Sequence, residues 1–114
     1  AILRRYQKRG TSNPSREILH KNIHIDLGNR EVKVSGEQVD LTKAEFEILV
    51  TLLNRPGRVF TRNELLNAAF GEDHEGYDRT IDPHVWSLRR KVEKDPSKPV
   101  FVLTVFGIGY KAGV

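Results

Sequence analysis

The sequence predicts an α+β domain in which a short antiparallel sheet comes first, three helices follow, and a β-hairpin closes the chain. Three observations lead there. Apolar and polar residues alternate with period two between Ile18 and Leu41, the apolar period becomes helical after Thr42, and a β-branched run from Val100 to Val105 leads into Phe106-Gly107-Ile108-Gly109 and Tyr110. A chain of 114 residues with 38% hydrophobic content is enough for one compact domain with one core.

The first segment changes character at Gly10. Ala1 to Arg9 reads as the last turns of a helix, whereas residues 10–15 are turn formers with few apolar side chains. Residues 1–16 are therefore expected to be the tail of a preceding domain plus a linker, and residues 17–114 the domain proper. The lack of any Met, position 1 included, fits a piece cut from a longer protein. In the strand region Ile23, Ile25 and Leu27 alternate with His24 and Asp26, and Val32 and Val34 flank Lys33. Leu27-Gly28-Asn29 and Ser35-Gly36 suit hairpin connections. Three or four short antiparallel strands with one wet face are expected.

Two helix starts carry the same device. Thr42 and Glu45 form a T-x-x-E capping box, with Leu41 placed to staple onto Phe46, and Thr61 and Glu64 repeat it with Phe60 placed against Leu65. Phe46, Leu49, Val50 and Leu53 give the first helix its inner side until Asn54-Arg55-Pro56-Gly57 stops it; Leu65, Leu66, Ala69 and Phe70 serve the second. The third helix is expected at about residues 79–94. Stepping 100° per residue gathers Leu88, Ile81, Val92 and Val85 into a stripe about 60° wide. Pro83, Trp86, Ser87, Arg90 and Lys94 fall on the back. With Thr80 as the cap, Pro83 is the third helical residue and its missing N–H has no intrahelical partner to lose. A start nearer Asp78 would bend the first turn. The sequence leaves both open.

Charge is unevenly spread. Lys and Arg number seven against two Asp and Glu over residues 1–30, five against ten over 31–78, and seven against three over 79–114. From Arg79 to Lys94 only Asp82 and Glu93 oppose Arg79, Arg89, Arg90, Lys91 and Lys94. Together with a pI near 9.6, this favours a polyanionic partner. With no cysteine there is no disulfide framework, thiolate metal site or cysteine nucleophile, and a cytoplasmic chain is expected. No apolar run reaches membrane length, so no membrane partner is called for. His20, His24, His74 and His84 show no metal-binding spacing, and neither a glycine-rich phosphate loop nor a G-x-S-x-G elbow is present. His24 and Asp26 share a strand face without a third ligand. Neither catalysis nor a cofactor or metal is expected.

Helix, connector, basic-backed helix and hairpin is the layout of a winged helix-turn-helix. The blocks LTKAEFEILVTLLNRPGRVFTRNELL, DRTIDPHVWSLRRKVE and LTVFGIGY resemble, in order and spacing, the winged-helix effector domain of OmpR/PhoB-type two-component response regulators, over roughly residues 17–111. AILRRYQ is similar to the end of the receiver domain that precedes this module in that family. The resemblance implies a bacterial phosphorelay output domain that binds double-stranded DNA sequence-specifically, with the third helix in the major groove and a wing over residues 100–112 on the adjacent groove or backbone. It implies phosphate contacts at Arg62, Arg79, Thr80, His84, Arg89 and Tyr110. Base or groove contacts fall on Asp82, Pro83, Trp86, Ser87, Arg90, Thr104 and Phe106. The acidic connector from Gly71 to Asp78 resembles the loop that meets RNA polymerase, through Glu72, Asp73 and Glu75. The further partners implied are the receiver domain and its sensor kinase, with a dimer on DNA and a monomeric isolated fragment. Phe106 stands where a cation is frequent, Ser87 where Arg is frequent and Pro83 where a small apolar residue is usual, so a different target sequence is expected. The alternative is a winged-helix protein- or RNA-interaction module without sequence-specific DNA binding.

Overall fold

The computed structural model describes residues 17–71 and 80–113. Their contacts divide the chain into two compact units, one ending at Gln38 and the other starting at Val39. The first holds strands β1 (Glu17–His20), β2 (Ile23–Asp26) and β3 (Glu31–Val34), and β4 (Glu37–Val39) straddles the division. They form one sheet in the order β1-β2-β3-β4, the larger of the two strand counts the alternation allows. Ile18 lies opposite Ile25 and Ile25 opposite Val32, which lines aliphatic side chains across one face. Ile23, Ile25 and Val32 are buried, while His24 and Lys33 pair on the other face. At the β3–β4 turn Ser35 (φ 53°) and Gly36 (φ 83°) both take left-handed backbone, the geometry that suits strand twist in a two-residue hairpin. The β1–β2 turn, which no glycine marks, places Lys21 at φ 54°. Its neighbour Asn22 accepts the Ser35 N–H at 2.8 Å and donates its side-chain amide to the Ser35 hydroxyl at 2.6 Å, joining the two turns.

The second unit contains α1 (Lys43–Asn54), β5 (Phe60–Thr61), α2 (Arg62–Phe70), α3 (Asp82–Val92), β6 (Val102–Val105) and β7 (Gly109–Ala112). Both capping boxes are complete. The Glu45 N–H donates to the Thr42 hydroxyl at 3.2 Å and the Thr42 N–H to the Glu45 carboxylate at 2.9 Å. The Thr61 and Glu64 pair repeats this at 3.0 and 2.9 Å. Each box satisfies two N–H groups that the helix itself leaves open.

Ile48, Leu49, Leu52, Leu65, Ile81, Val85, Leu88, Val92 and Val102 fill the core of this unit. Val50 and Phe70, expected inside, are half-buried, and Ile48 and Leu52 are fully inside. Because α1 packs on both α2 and α3, its covered arc is wider than one stripe. Strands β5, β7 and β6 form a second sheet, with Phe60 opposite Tyr110 and Thr61 opposite Gly109. A side chain at Gly109 would strike the Phe60 carbonyl, so glycine is what lets β5 approach β7.

Helix α3 begins later than either start the sequence left open. Ile81 is the N-cap, without a side-chain cap bond, and its carbonyl accepts from the N–H groups of His84 (3.0 Å) and Val85 (3.1 Å). Pro83 is thereby the second helical residue, where its missing N–H has no helical partner. The helix ends at Val92, because Glu93 turns to extended backbone at φ −87° and ψ 139°.

Candidate nucleic-acid interface

The aliphatic ridge of α3 decides which way its polar residues point. Ile81, Val85, Leu88 and Val92 are at most 2% exposed, so the ridge is the seated side and the opposite side faces out. The two flanks are tied down differently.

On one flank, Asp82 Oδ1 accepts from Arg62 Nε at 3.0 Å and from the Tyr110 hydroxyl at 2.6 Å. One oxygen thus joins the starts of α2 and α3 to strand β7. The Tyr110 hydroxyl and then the Arg62 guanidinium hold the Asp82 carboxyl below the usual carboxylate range, although partial burial opposes them. Burial, and next the bond to Asp82, push the Tyr110 phenol up; Asp82 raises Arg62 further. Two turns on, Arg89 Nε donates to the Val102 carbonyl at 2.9 Å and Arg89 Nη2 to the Thr104 hydroxyl at 2.6 Å. Both Arg62 and Arg89 also lie 5.5 Å from the Tyr110 ring centre. The wing is therefore fastened along this side of the helix.

On the other flank, Glu45 of α1 is 2% exposed and receives Lys91 Nζ at 2.6 Å. Burial works to raise its pKa, but the bonds from Lys91, the Ser87 hydroxyl and the Thr42 N–H outweigh it and the net shift is downward. His84 packs edge-on to Phe70 of α2, with ring centres 5.4 Å apart. Beyond the helix, the buried Glu93 carboxylate accepts the N–H groups of Val100 (2.8 Å), Phe101 (3.0 Å) and Val102 (2.9 Å), clamping the chain that enters the wing.

What remains outward on α3 is Pro83, Trp86 and Arg90. Trp86 is 59% exposed, and the Arg90 guanidinium lies 4.8 Å above its ring centre. At the wing turn, Phe106 is 89% and Ile108 52% exposed. The sequence-predicted residues thus divide. Arg62, Asp82, Ser87, Arg89, Thr104 and Tyr110 converge on the helix flanks with polar atoms bonded inside the protein, whereas Pro83, Trp86, Arg90 and Phe106 present themselves to solvent. Thr80 is exposed and His84 half-buried. Arg79, the acidic connector with Glu72, Asp73 and Glu75, and the segment 1–16 lie outside the described residues.

Glu45, Lys91 and Glu93 organise this surface without a local sequence signal for that role. The capping box announces Glu45, but its second partner lies 46 residues away. Among the described residues no group of three or more His, Asp or Glu is placed to hold a metal, and no helix is long and apolar enough to cross a membrane.

The family model "Transcriptional regulatory protein, C terminal" matches residues 36–112. The chain is 42% identical over 113 residues, 99% of its length, to the DNA-binding response regulator MtrA of Mycobacterium tuberculosis, and 38% identical over 112 residues to the sensory transduction protein RegX3 of Mycolicibacterium smegmatis. It spans about half the length of these relatives, 50% and 49%. Among solved structures, the Klebsiella pneumoniae RstA DNA-binding domain in complex with the RstA box superposes with a TM-score of 0.74 at 32% identity, covering 85% of this chain and 96% of that one. The response regulator DrrB of Thermotoga maritima, an OmpR/PhoB homolog, gives 0.76 at 30% identity over 87% of this chain and 45% of that one. An inward ridge, two fastened flanks and a hairpin wing, on a sequence matched over most of its length, make this chain a member of that family: an OmpR/PhoB-type winged-helix effector domain.

Proposed function

We infer that the chain is the sequence-specific DNA-binding output domain of an OmpR/PhoB-type response regulator and regulates transcription. The observation that carries this is the orientation of α3. Its aliphatic ridge is buried and its flanks are bonded to α1, α2 and the wing, so a rigid rod presents Pro83, Trp86 and Arg90 outward. A protein α-helix fits the major groove, and a helix held at three places offers its side chains at a fixed angle to base edges. The relatives support the same reading, since the RstA domain is captured in complex with the RstA box.

In this reading Arg90 forks onto a base edge and Trp86 and Pro83 make apolar contact in the groove. Arg62, Arg79, Thr80, His84 and Arg89 approach phosphates from the flanks, and the Phe106 turn reaches the neighbouring groove or backbone. Asp82, Ser87, Thr104 and Tyr110 serve mainly by holding the helix and wing in register. The acidic connector with Glu72, Asp73 and Glu75 meets RNA polymerase. The intact protein carries a receiver domain, phosphorylated by a sensor kinase in the cytoplasm, that promotes dimerisation on repeated half-sites, whereas the isolated domain is a monomer.

The test is selection of bound duplexes from random DNA, followed by competition. The selected duplex should displace random duplex by a factor of about 10³ or more. Equal displacement by random duplex would overturn the reading and favour a protein- or RNA-binding module.

A further inference from the structure

Trp86 is a large apolar surface held where the DNA-binding reading puts a polar groove. The major-groove edges of the four base pairs are nitrogen and oxygen donors and acceptors, with one apolar feature, the C5 methyl of thymine. An exposed indole entering that groove gains from leaving water only where it meets that methyl. The arginine beside it is posed for a different base. The Arg90 guanidinium carbon lies 4.8 Å from the indole ring centre, a cation resting on the ring face, and the residue is exposed. Arg89 and Lys91, its neighbours on the helix, point to the flanks instead, where Arg89 Nε and Nη2 bond the wing and Lys91 Nζ bonds Glu45. An exposed guanidinium matches the O6 and N7 acceptors of guanine.

We propose that Trp86 and Arg90 form one reading unit, in which the indole recognises a thymine methyl and, by stacking, aims the arginine fork at a guanine close by. The proposal rests on the DNA-binding reading above and deepens it by naming the base step recognised. Residues four apart on a helix are separated by about 6 Å along its axis, whereas base pairs along one strand are spaced about 3.4 Å. The thymine and guanine therefore lie within two base pairs of each other in each half-site. Pro83, one turn before Trp86 on the same outer face, is exposed and continues the apolar strip away from Arg90.

The experiment uses the whole chain and the duplex obtained by selection. Each thymine is replaced in turn by deoxyuridine, which deletes only the methyl, and each guanine by 7-deazaguanine, which deletes only the N7 acceptor. At one thymine per half-site, deoxyuridine should weaken binding about three- to tenfold. At one guanine within two base pairs of it, the deaza base should weaken binding about tenfold or more. Trp86→Ala should bind the thymine and deoxyuridine duplexes equally, and Arg90→Ala should lose the response to 7-deazaguanine. Because stacking links the two residues, Trp86→Ala should also reduce the 7-deazaguanine response. Trp86 is exposed, so its truncation leaves the core intact, and circular dichroism of each variant checks that. If the selected duplex still outcompetes random DNA but deoxyuridine is tolerated at every position, the Trp86 assignment is wrong and DNA binding stands. If the responses appear but survive in the variants, other residues read those atoms and the proposal fails. If selection enriches no sequence, both readings fail together.

Discussion

The Glu93 clamp gives the most direct test of how the wing is attached. One carboxylate oxygen accepts the Val100 N–H at 2.8 Å, the other accepts Val102 at 2.9 Å, and Phe101 donates to both at 3.3 and 3.0 Å. Replacement by Ala leaves three backbone donors without this acceptor. Val100 is 51% exposed and water can replace its bond, but Phe101 and Val102 are 4% and 0% exposed. Two buried N–H groups left unsatisfied cost about 1–3 kcal/mol each, so Glu93→Ala should lower the unfolding free energy by about 4 kcal/mol. A domain of this size has about 5–15 kcal/mol in all, which makes that a large fraction.

Glu93→Gln keeps the shape and one acceptor oxygen. Directed at Phe101 and Val102, that oxygen preserves the two buried bonds and turns the amide nitrogen toward the Val100 N–H at the exposed end. The cost should then be about 1–2 kcal/mol, from one lost bond and the loss of charge assistance in the others. Urea unfolding followed by far-ultraviolet circular dichroism measures both variants, with an unchanged slope showing that the transition itself is the same. If Ala and Gln cost the same within error, or Gln costs more, satisfying the buried N–H groups is not what this side chain contributes.

Gly109→Ala should destabilise the domain by about 3 kcal/mol in the same assay, because the added methyl meets backbone of β5 and cannot be relieved by a rotamer change. Thr42→Ala should cost about 1 kcal/mol through the lost α1 cap, and Thr42→Ser should recover most of it. Asp82 and Glu45 both have pKa values lowered by folding, so they contribute stability that is fully present above the unfolded carboxylate range. Unfolding free energy should therefore stay level on acidification to about pH 5 and fall below about pH 4, with a shallower fall in Asp82→Asn, measured by urea titration at each pH. Arg89→Ala should weaken binding to every duplex and lower thermal stability together, since the wing loses two hydrogen bonds; weaker binding with unchanged stability would refute the fastening role.

Local rules carried most of the fold. The T-x-x-E boxes, the alternation around Ile23 and Ile25, and the α3 ridge each depend on residues within one turn or one strand, and these formed as expected. What sequence did not disclose was long-range pairing. Asp82 reads as a carboxylate in a basic helix, yet its partners are Arg62 and Tyr110, 20 and 28 residues away. Ser87 falls on the back of the helical wheel, yet its hydroxyl reaches Glu45 at the flank. The α3 start was also hidden, because Ile81 stands at the N-cap with no side-chain cap bond and is fixed instead by burial of the ridge it begins.

The same long-range pairing changes what the positive charge of α3 means. By composition Lys91 is one more cation for a polyanion, but its ammonium sits 2.6 Å from a carboxylate that is only 3% exposed. Removing it would strand a buried charge at the start of α1, and a buried ion left without its partner is strongly destabilising. The Lys91 side chain is itself 34% exposed, so water reaches the pair and the cost should be moderated to about 2 kcal/mol. A residue that neutralises phosphate leaves a different mark: its loss reduces the slope of log affinity against log salt by about one. Lys91→Gln should therefore reduce stability and leave the salt slope of DNA binding unchanged, and the double variant Lys91→Gln, Glu45→Gln should restore part of the stability because no charge is stranded. A lower salt slope with unaltered stability would make Lys91 a phosphate contact, and the separation between fastened flank and reading face would then be drawn in the wrong place.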